Sequence, residues 1–353
     1  MLFNVEHDRG DVIEGYLIPD GFSEQPTIAI YDCNGGVVNL ICDQARPAVV
    51  ESGRHASGLV GFRIDENTIP GLSVVETLSI RDAKSGVLIY RRPQVPVPVP
   101  LKVIRLEPQL IPSTHIDRYC GKFFQYELHA IERFGHETVL QAFHLNAVSS
   151  IYLSGRLLMR NYEEFFDRGF QGIVFLTDPY YEMAGRIFLL KKMATNRITF
   201  LGDRDQLFLA PAAEYFAETD LLNEVSLRFS LKRAPQKVRN VLVSPMTRQL
   251  VCAYPEQTVS RNDVAPAIDL LSRFTIVGHD GDRSHFQEAV GELFAIPVEG
   301  LSLPTRHSVL EDIADILRSL PVAELMLEQD LILDHYVRQA MVPVQTPRVL
   351  NAT

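Results

Sequence analysis

The sequence predicts an α/β domain, with a mainly parallel sheet and helices on both faces, preceded by a separate all-β sandwich domain. Three observations carry this. Short apolar runs punctuated by Gly, Pro and Asn fill roughly the first 90 residues. A Val-Pro alternation then interrupts the pattern. Beyond it, buried-strand runs alternate with helical periodicity.

Residues 12–18, 27–31, 37–41, 59–64, 74–80 and 87–90 read as strands. Asn34-Gly35-Gly36 is hairpin chemistry, because a two-residue turn needs positive φ. Such spacing suits an antiparallel sandwich over residues 1–92. Cys33 falls roughly opposite Val38 in that hairpin, poorly placed to bridge Cys42. Arg92-Pro93-Gln94-Val95-Pro96-Val97-Pro98-Val99-Pro100 forbids helix and removes ladder donors. Residues 93–100 are therefore an extended linker with little packing across it.

The second domain spans residues 101–341. Residues 116–134 read as a helix, and 140–159 as either one helix or a strand, loop and helix. Residues 171–176 suit a buried parallel strand, followed by a helix at 181–193. Residues 241–244 and 274–278 are further buried-strand candidates, with a helix at 265–273 between them. Helices follow at 283–294 and at 309–338, the latter split near Pro321, and residues 342–353 form a tail.

The chain has 353 residues, with 34 Lys and Arg against 44 Asp and Glu, a net charge of −10. That balance argues against a nucleic-acid partner. Hydrophobic residues at 46% and charged residues at 22% exclude global disorder. No apolar run reaches the ~18 residues of a membrane span. Met1-Leu2-Phe3-Asn4-Val5-Glu6-His7-Asp8 shows no basic then apolar signal pattern. Cys33, Cys42, Cys120 and Cys252 form no C-x-x-C pair, so free thiols in a reducing cytoplasm are expected.

Metal sites are not expected, since the ten His show no H-x-x-x-H spacing. Asp280-Gly281-Asp282 looks like part of a calcium loop but has no acid at the twelfth position, so it reads as a turn. There is no G-x-x-x-x-G-K-[ST], G-x-G-x-x-G or G-x-S-x-G. More specific is the strand running through Leu176 into Thr177-Asp178-Pro179 and then a helix. A helix N-terminus beside strand ends is an anion-binding geometry.

This segment, Thr177-Asp178-Pro179-Tyr180-Tyr181-Glu182-Met183-Ala184-Gly185-Arg186, resembles the 3′-phosphate-binding stretch of sulfotransferases. There a strand ends in Arg-Asp-Pro, an Arg follows three residues later, and a Ser three after that. Ser244-Pro245-Met246-Thr247-Arg248-Gln249-Leu250 resembles the family's Asn-x-Gln-Thr-Arg-x-Leu segment. Residues 267–278 and 282–296 resemble its Phe-x-x-Val-Gly region and the helix after it, and residues 325–341 its closing helix. The likeness covers roughly residues 171–341. It implies a P-loop kinase-like core and sulfuryl transfer from 3′-phosphoadenylyl sulfate to a sugar hydroxyl, in bacterial surface-polysaccharide metabolism. Gly10-Asp11-Val12-Ile13-Glu14-Gly15-Tyr16, Ala45-Arg46-Pro47-Ala48-Val49 and Gly58-Leu59-Val60-Gly61-Phe62 are similar to a small β module. That module precedes bacterial glycosyltransferase-like and sulfotransferase-like domains.

The departures are specific. Thr177 stands where the family has Arg, Glu182 where it has the second Arg, and Gly185 where it has Ser, while Asp178 and Pro179 are kept. Arg186 and Arg248 are the nearby cations that could substitute, although Arg186 lies four residues after Glu182, the spacing of an ordinary salt bridge. The family's second half-site, Pro-Lys-x-Gly-x-[ST]-[ST], has two candidates. One is residues 101–107 with Pro108 and Ser113-Thr114; the other is residues 143–150. Neither loop contains Lys. His144 in the second is the candidate base. The expectation is a sulfotransferase or, alternatively, a non-catalytic binding or scaffold protein with a degenerate cofactor site, engaging a carbohydrate or protein partner. A sugar-nucleotide glycosyltransferase is the third possibility.

Overall fold

The computed structural model describes residues 1–32, 36–92, 98–145 and 148–341. Cys33-Asn34-Gly35 of the expected hairpin, residues 93–97 of the Val-Pro run, Asn146-Ala147 of the second half-site candidate and residues 342–353 lie outside the described residues.

The first region holds β1 (Leu2–Asp8), β2 (Ile13–Ile18), β3 (Thr27–Asp32), β4 (Val37–Ile41), β5 (Gln44–Ala45), α1 (Pro47–Glu51), β6 (Leu59–Ile64), β7 (Leu78–Asp82) and β8 (Leu88–Arg91). They make two antiparallel sheets, ordered β1-β2-β6-β5 and β4-β3-β7-β8. Strand alternation sends Ile13, Leu17, Ile28, Ile30, Phe62 and Ile80 into one buried cluster common to both sheets. Residues 74–80 differ from expectation: a single 3₁₀ turn at Leu72–Val74 comes first, and the strand starts only at Leu78. Gly58 is needed for its backbone, with φ +68, and for space. A Cβ there would sit 2.6 Å from Val50 Cγ2 and 3.0 Å from the Arg46 carbonyl oxygen.

The second region runs β9 (Lys102–Leu106), α2 (Thr114–Cys120), β10 (Tyr126–Leu128), α3 (His136–Phe143), β11 (Ile151–Gly155), α4 (Glu164–Asp167), β12 (Phe170–Leu176) and α5 (Pro179–Met193). It continues with α6 (Asp203–Phe216), α7 (Glu224–Arg233), α8 (Gln236–Leu242), α9 (Pro245–Val251), α10 (Val264–Leu271), β13 (Ile276–His279), α11 (Arg283–Phe294), α12 (Ser308–Arg318) and α13 (Pro321–Met341). All five strands are parallel, in the order β10-β11-β9-β12-β13. Both faces are covered, as a parallel sheet requires. Val103, Ile173 and Phe175 pack on α2 and α11. Ile104, Leu153 and Val174 join α3, α9, α10 and α13 in the large cluster. Helices α5 to α8, α12 and part of α13 enclose a third core.

Three expectations are corrected. Residues 116–134 are helical only to Cys120, with a 3₁₀ turn after it, and then enter edge strand β10. Gly121 allows the turn: a Cβ there would lie 2.1 Å from Glu127 Oε2. Residues 241–244 are not a strand but the end of α8 and a loop in which Ser244 adopts φ +38. A run of three apolar residues, Val241-Leu242-Val243, does not discriminate a strand from a buried helix turn. In the described part of residues 140–159, helix α3 runs to Phe143, strand β11 spans Ile151–Gly155 and a 3₁₀ turn begins at Met159.

Packing between the two regions is also denser than expected. Phe3 of β1 stacks on Tyr126 of β10 with ring centroids 6.4 Å apart. Gln141 Nε2 donates to the Phe3 carbonyl at 3.0 Å, and Arg91 and Arg81 reach Glu127 at 2.8 and 3.1 Å. One apolar cluster runs through both regions. β1 lies outside the strands that the sequence pattern predicts, and it supplies part of this contact. A single cooperative thermal transition is therefore expected by both near- and far-UV circular dichroism. Phe3→Ala should move the whole of it, at a cost of about 3–5 kcal/mol. Two separate transitions, only the earlier one sensitive to Phe3→Ala, would contradict the shared core.

Candidate functional site at the sheet switch point

Strand order places the crevice. The chain leaves β9 towards β10 at one edge and leaves β12 towards β13 at the other. Connections diverging from adjacent strands open a gap at their C-terminal ends, where α/β proteins bind ligands. The gap here lies between the loop 107–113 after β9 and the Thr177-Asp178-Pro179 turn after β12. The first of the two half-site candidates thus borders the crevice.

The chain's own carboxylates fill the loop. Glu107 accepts from the backbone N–H of Gln109 at 3.2 Å and of Ser113 at 2.7 Å, and from Arg105 at 3.0 Å. Glu182, from the first turn of α5, accepts from the Leu110 N–H at 3.0 Å and from Arg186 Nε at 2.7 Å. The loop is further tied by Arg186 and Gln249, both donating to the Pro108 carbonyl at 3.3 Å. Three loop N–H groups that could face a phosphate thus face side-chain carboxylates. Arg105 is also consumed, by Asp117 at 2.6 and 2.8 Å.

The turn after β12 is closed in the same way. Asp178 caps α5, accepting from Tyr180 and Tyr181 N–H at 2.9 and 3.0 Å, with Pro179 at the first helical position. Arg318 and Arg338 flank it at 3.2 and 3.6 Å. Thr177 is buried, and its hydroxyl donates to Asp280 at 2.5 Å. Asp280 also receives Arg283 at 2.8 Å and Arg306 at 2.9 Å. Gly185 faces Ile111 and Leu310, and a Cβ added there makes only ordinary contacts at 3.7 and 3.9 Å. The cavity that Thr177, Glu182 and Gly185 share measures only about 80 Å³.

The structure thus gathers Thr177, Asp178, Gly185 and Arg186 around one crevice. Arg248, on α9, lies beside it and shares a neighbouring cavity with Arg186. His144 is elsewhere: it ends α3 near the N-terminal ends of β11 and β12. Its Nδ1–H donates to the Leu140 carbonyl at 2.8 Å and its Nε2 accepts from Arg168 at 3.0 Å, so both ring nitrogens are engaged. The Ser244 segment and the closing helix, picked out separately in the sequence, meet directly. Asp330 of α13 caps α9, accepting from the N–H of Met246 and Thr247 at 3.1 and 2.7 Å. Asp334 accepts from His279 Nε2 at 2.7 Å, and the Gly281 N–H on His279 Nδ1 sets that tautomer. Sequence reasoning missed Glu107, Asp330 and Asp334. Only the kept order of strand, loop and helix after residue 101 pointed towards the first.

Electrostatics follow from burial. Burial pushes Glu182 up to about 7, although Arg186 pulls it down. It also lowers Arg186, where Glu182 acts in the opposite sense. Burial opposes the charge of Asp117, but Arg105 outweighs it and holds that carboxyl below its usual range. Burial pushes the Cys42 and Cys120 thiols up to about 12, so neither supplies a thiolate near neutral pH. Among the described residues no group of three His, Cys, Asp or Glu side chains is arranged to hold a metal. No described helix is long and apolar enough to cross a membrane.

No family model, curated protein or solved structure matches the chain.

Glu182 gives a pH test. Its folded-state affinity for protons is raised above the unfolded value of 4.5. The native state therefore binds more protons between about pH 4.5 and 7, and its stability falls as pH rises through that window. Glu182→Gln should remove this slope. The stability difference, wild type minus variant, should drop by on the order of 3 kcal/mol across it, at ~1.4 kcal/mol per pH unit. Denaturant midpoints at several pH values measure it, and parallel curves for the two proteins would show that Glu182 does not titrate there.

Proposed function

We propose that the chain is a non-catalytic, sulfotransferase-like binding protein of bacterial surface-polysaccharide metabolism, with a P-loop kinase-like core and a degenerate nucleotide crevice. The observation that carries this is the seating of Glu107 and Glu182 on the loop N–H groups after β9. Anion sites of that kind work by leaving backbone N–H groups and cations free for phosphate. Here both are spent internally, and the guanidiniums of Arg105 and Arg186 already face carboxylates. The residues present do not fit 3′-phosphoadenylyl sulfate: its phosphates would meet two carboxylates and no lysine in the loop.

Sulfuryl transfer needs cations to hold the leaving phosphate as charge develops. For that reading both carboxylates would have to leave. In the proposed role the protein works in the cytoplasm and engages a carbohydrate or a protein partner.

Titration calorimetry with 3′-phosphoadenosine 5′-phosphate tests the proposal. Hydrogen bonds to charged groups are worth about 1.5–3 kcal/mol each. Losing the two family arginines therefore weakens binding by roughly a hundredfold or more, before repulsion from Glu107, and from the ionised fraction of Glu182, is added. No saturable heat is expected up to about 1 mM ligand, equivalent to ~4 kcal/mol of binding. Micromolar binding would restore the enzyme.

A further inference from the structure

Beside the closed crevice lies an open one. A cavity of about 290 Å³ opens between the end of β11, α6, and the α8–α9 corner. Its walls are largely apolar, with Leu157, Phe208 and Val241 among them, and four arginines line it: Arg156, Arg186, Arg204 and Arg248. The size is near the lower end for small-molecule sites, and apolar walls with a few convergent polar groups are their usual make-up.

The charges are unevenly matched. Arg156 is paired with Asp205 and with Glu132, and Arg186 with Glu182. Arg248 is only 9% exposed yet forms no ion pair among the described residues, and Asp330 acts on it only at longer range. Its Nη1 donates to the carbonyls of Asn240 and Pro255, while its Nε is buried with no acceptor. The next residue, Gln249, also lines the cavity, and its Oε1 is buried with no donor. Arg204 is exposed, without a hydrogen bond or ion pair among the described residues. Glu256 lines the same cavity and is exposed to solvent, where its charge is screened.

A buried guanidinium with an unmet donor is costly unless something accepts from it. We propose that this cavity binds a small hydroxyl-bearing organic oxyanion, with its anionic group against Arg248 and Arg204, its hydroxyl within reach of Gln249, and its ring on the apolar walls. The chemistry is shared by phosphate monoesters, sulfate monoesters and carboxylates. The inference does not depend on the sulfotransferase likeness, so a negative titration with 3′-phosphoadenosine 5′-phosphate leaves it standing.

The test is calorimetry on the full chain with three probes: glucose 6-phosphate, glucose 6-sulfate and 4-hydroxybenzoate. Glucose and phenol serve as neutral controls, and inorganic phosphate as an anion without a body. At least one oxyanion should bind at least about tenfold more tightly than its neutral control and than inorganic phosphate. The strongest binder identifies the anionic group. Arg248→Gln should weaken it at least about tenfold. The exposed Arg204→Gln, which removes no buried contact, should weaken it severalfold and flatten its salt dependence. Failure of all three probes to exceed their controls overturns the proposal. So does binding indifferent to Arg204→Gln and to a folded Arg248→Gln.

Discussion

The structure turns on what satisfies the backbone N–H groups of the loop after β9. Gln109, Leu110 and Ser113 point these donors into the interior, where each would cost about 1–3 kcal/mol if left unmet. Glu107 and Glu182 meet them. A buried carboxylate is itself expensive unless a cation faces it, so Arg105 on β9 and Arg186 on α5 follow by necessity. That chain of requirements ties the central strand, its loop and helix α5 into one unit, and the unit is what closes the crevice.

The same device recurs across the C-terminal edge of the sheet. Asp178 caps α5, Asp330 caps α9 and Asp334 holds His279 at the end of β13. Two of these come from α13, one turn apart on the same helix, so the last helix fastens two earlier elements with side chains of the same kind. Burial pushes Asp330 up and the hydrogen bonds from Thr247 and Met246 pull it down, a balance that holds only while α9 stays against α13. A ligand anion entering this edge would have to displace a carboxylate already held by two or more donors.

How much was legible beforehand differs by element. β3, β4 and β6, and the strand from Phe170, announce themselves through apolar runs bounded by Gly and Pro, and the turn at Asp178-Pro179 by its capping chemistry. Tyr126-Glu127-Leu128 did not stand out, because three residues are too few to show a period of two beside a helical pattern. Arg186 with Glu182 was readable, since four residues on a helix set the contact. Glu107 was not, for besides Arg105 its partners are backbone groups two and six residues away in an irregular loop, and such a loop has no periodicity to read. Asp330 meets α9 across 83 residues, a distance that no local pattern spans.

Closed crevice and open cavity share a wall. Leu110 lines the cavity while its N–H is held by Glu182 in the crevice, and Arg186 lines the cavity while its Nε faces the same carboxylate. Withdrawing Glu182 from the Leu110 N–H would also release Arg186, a residue of the cavity wall. Coupling of this sort needs no long path, only one short segment with donors on one side and an apolar side chain on the other. The loop 107–113 is that segment, and Glu182, which holds both the Leu110 N–H and Arg186 Nε, is the side chain that joins the two.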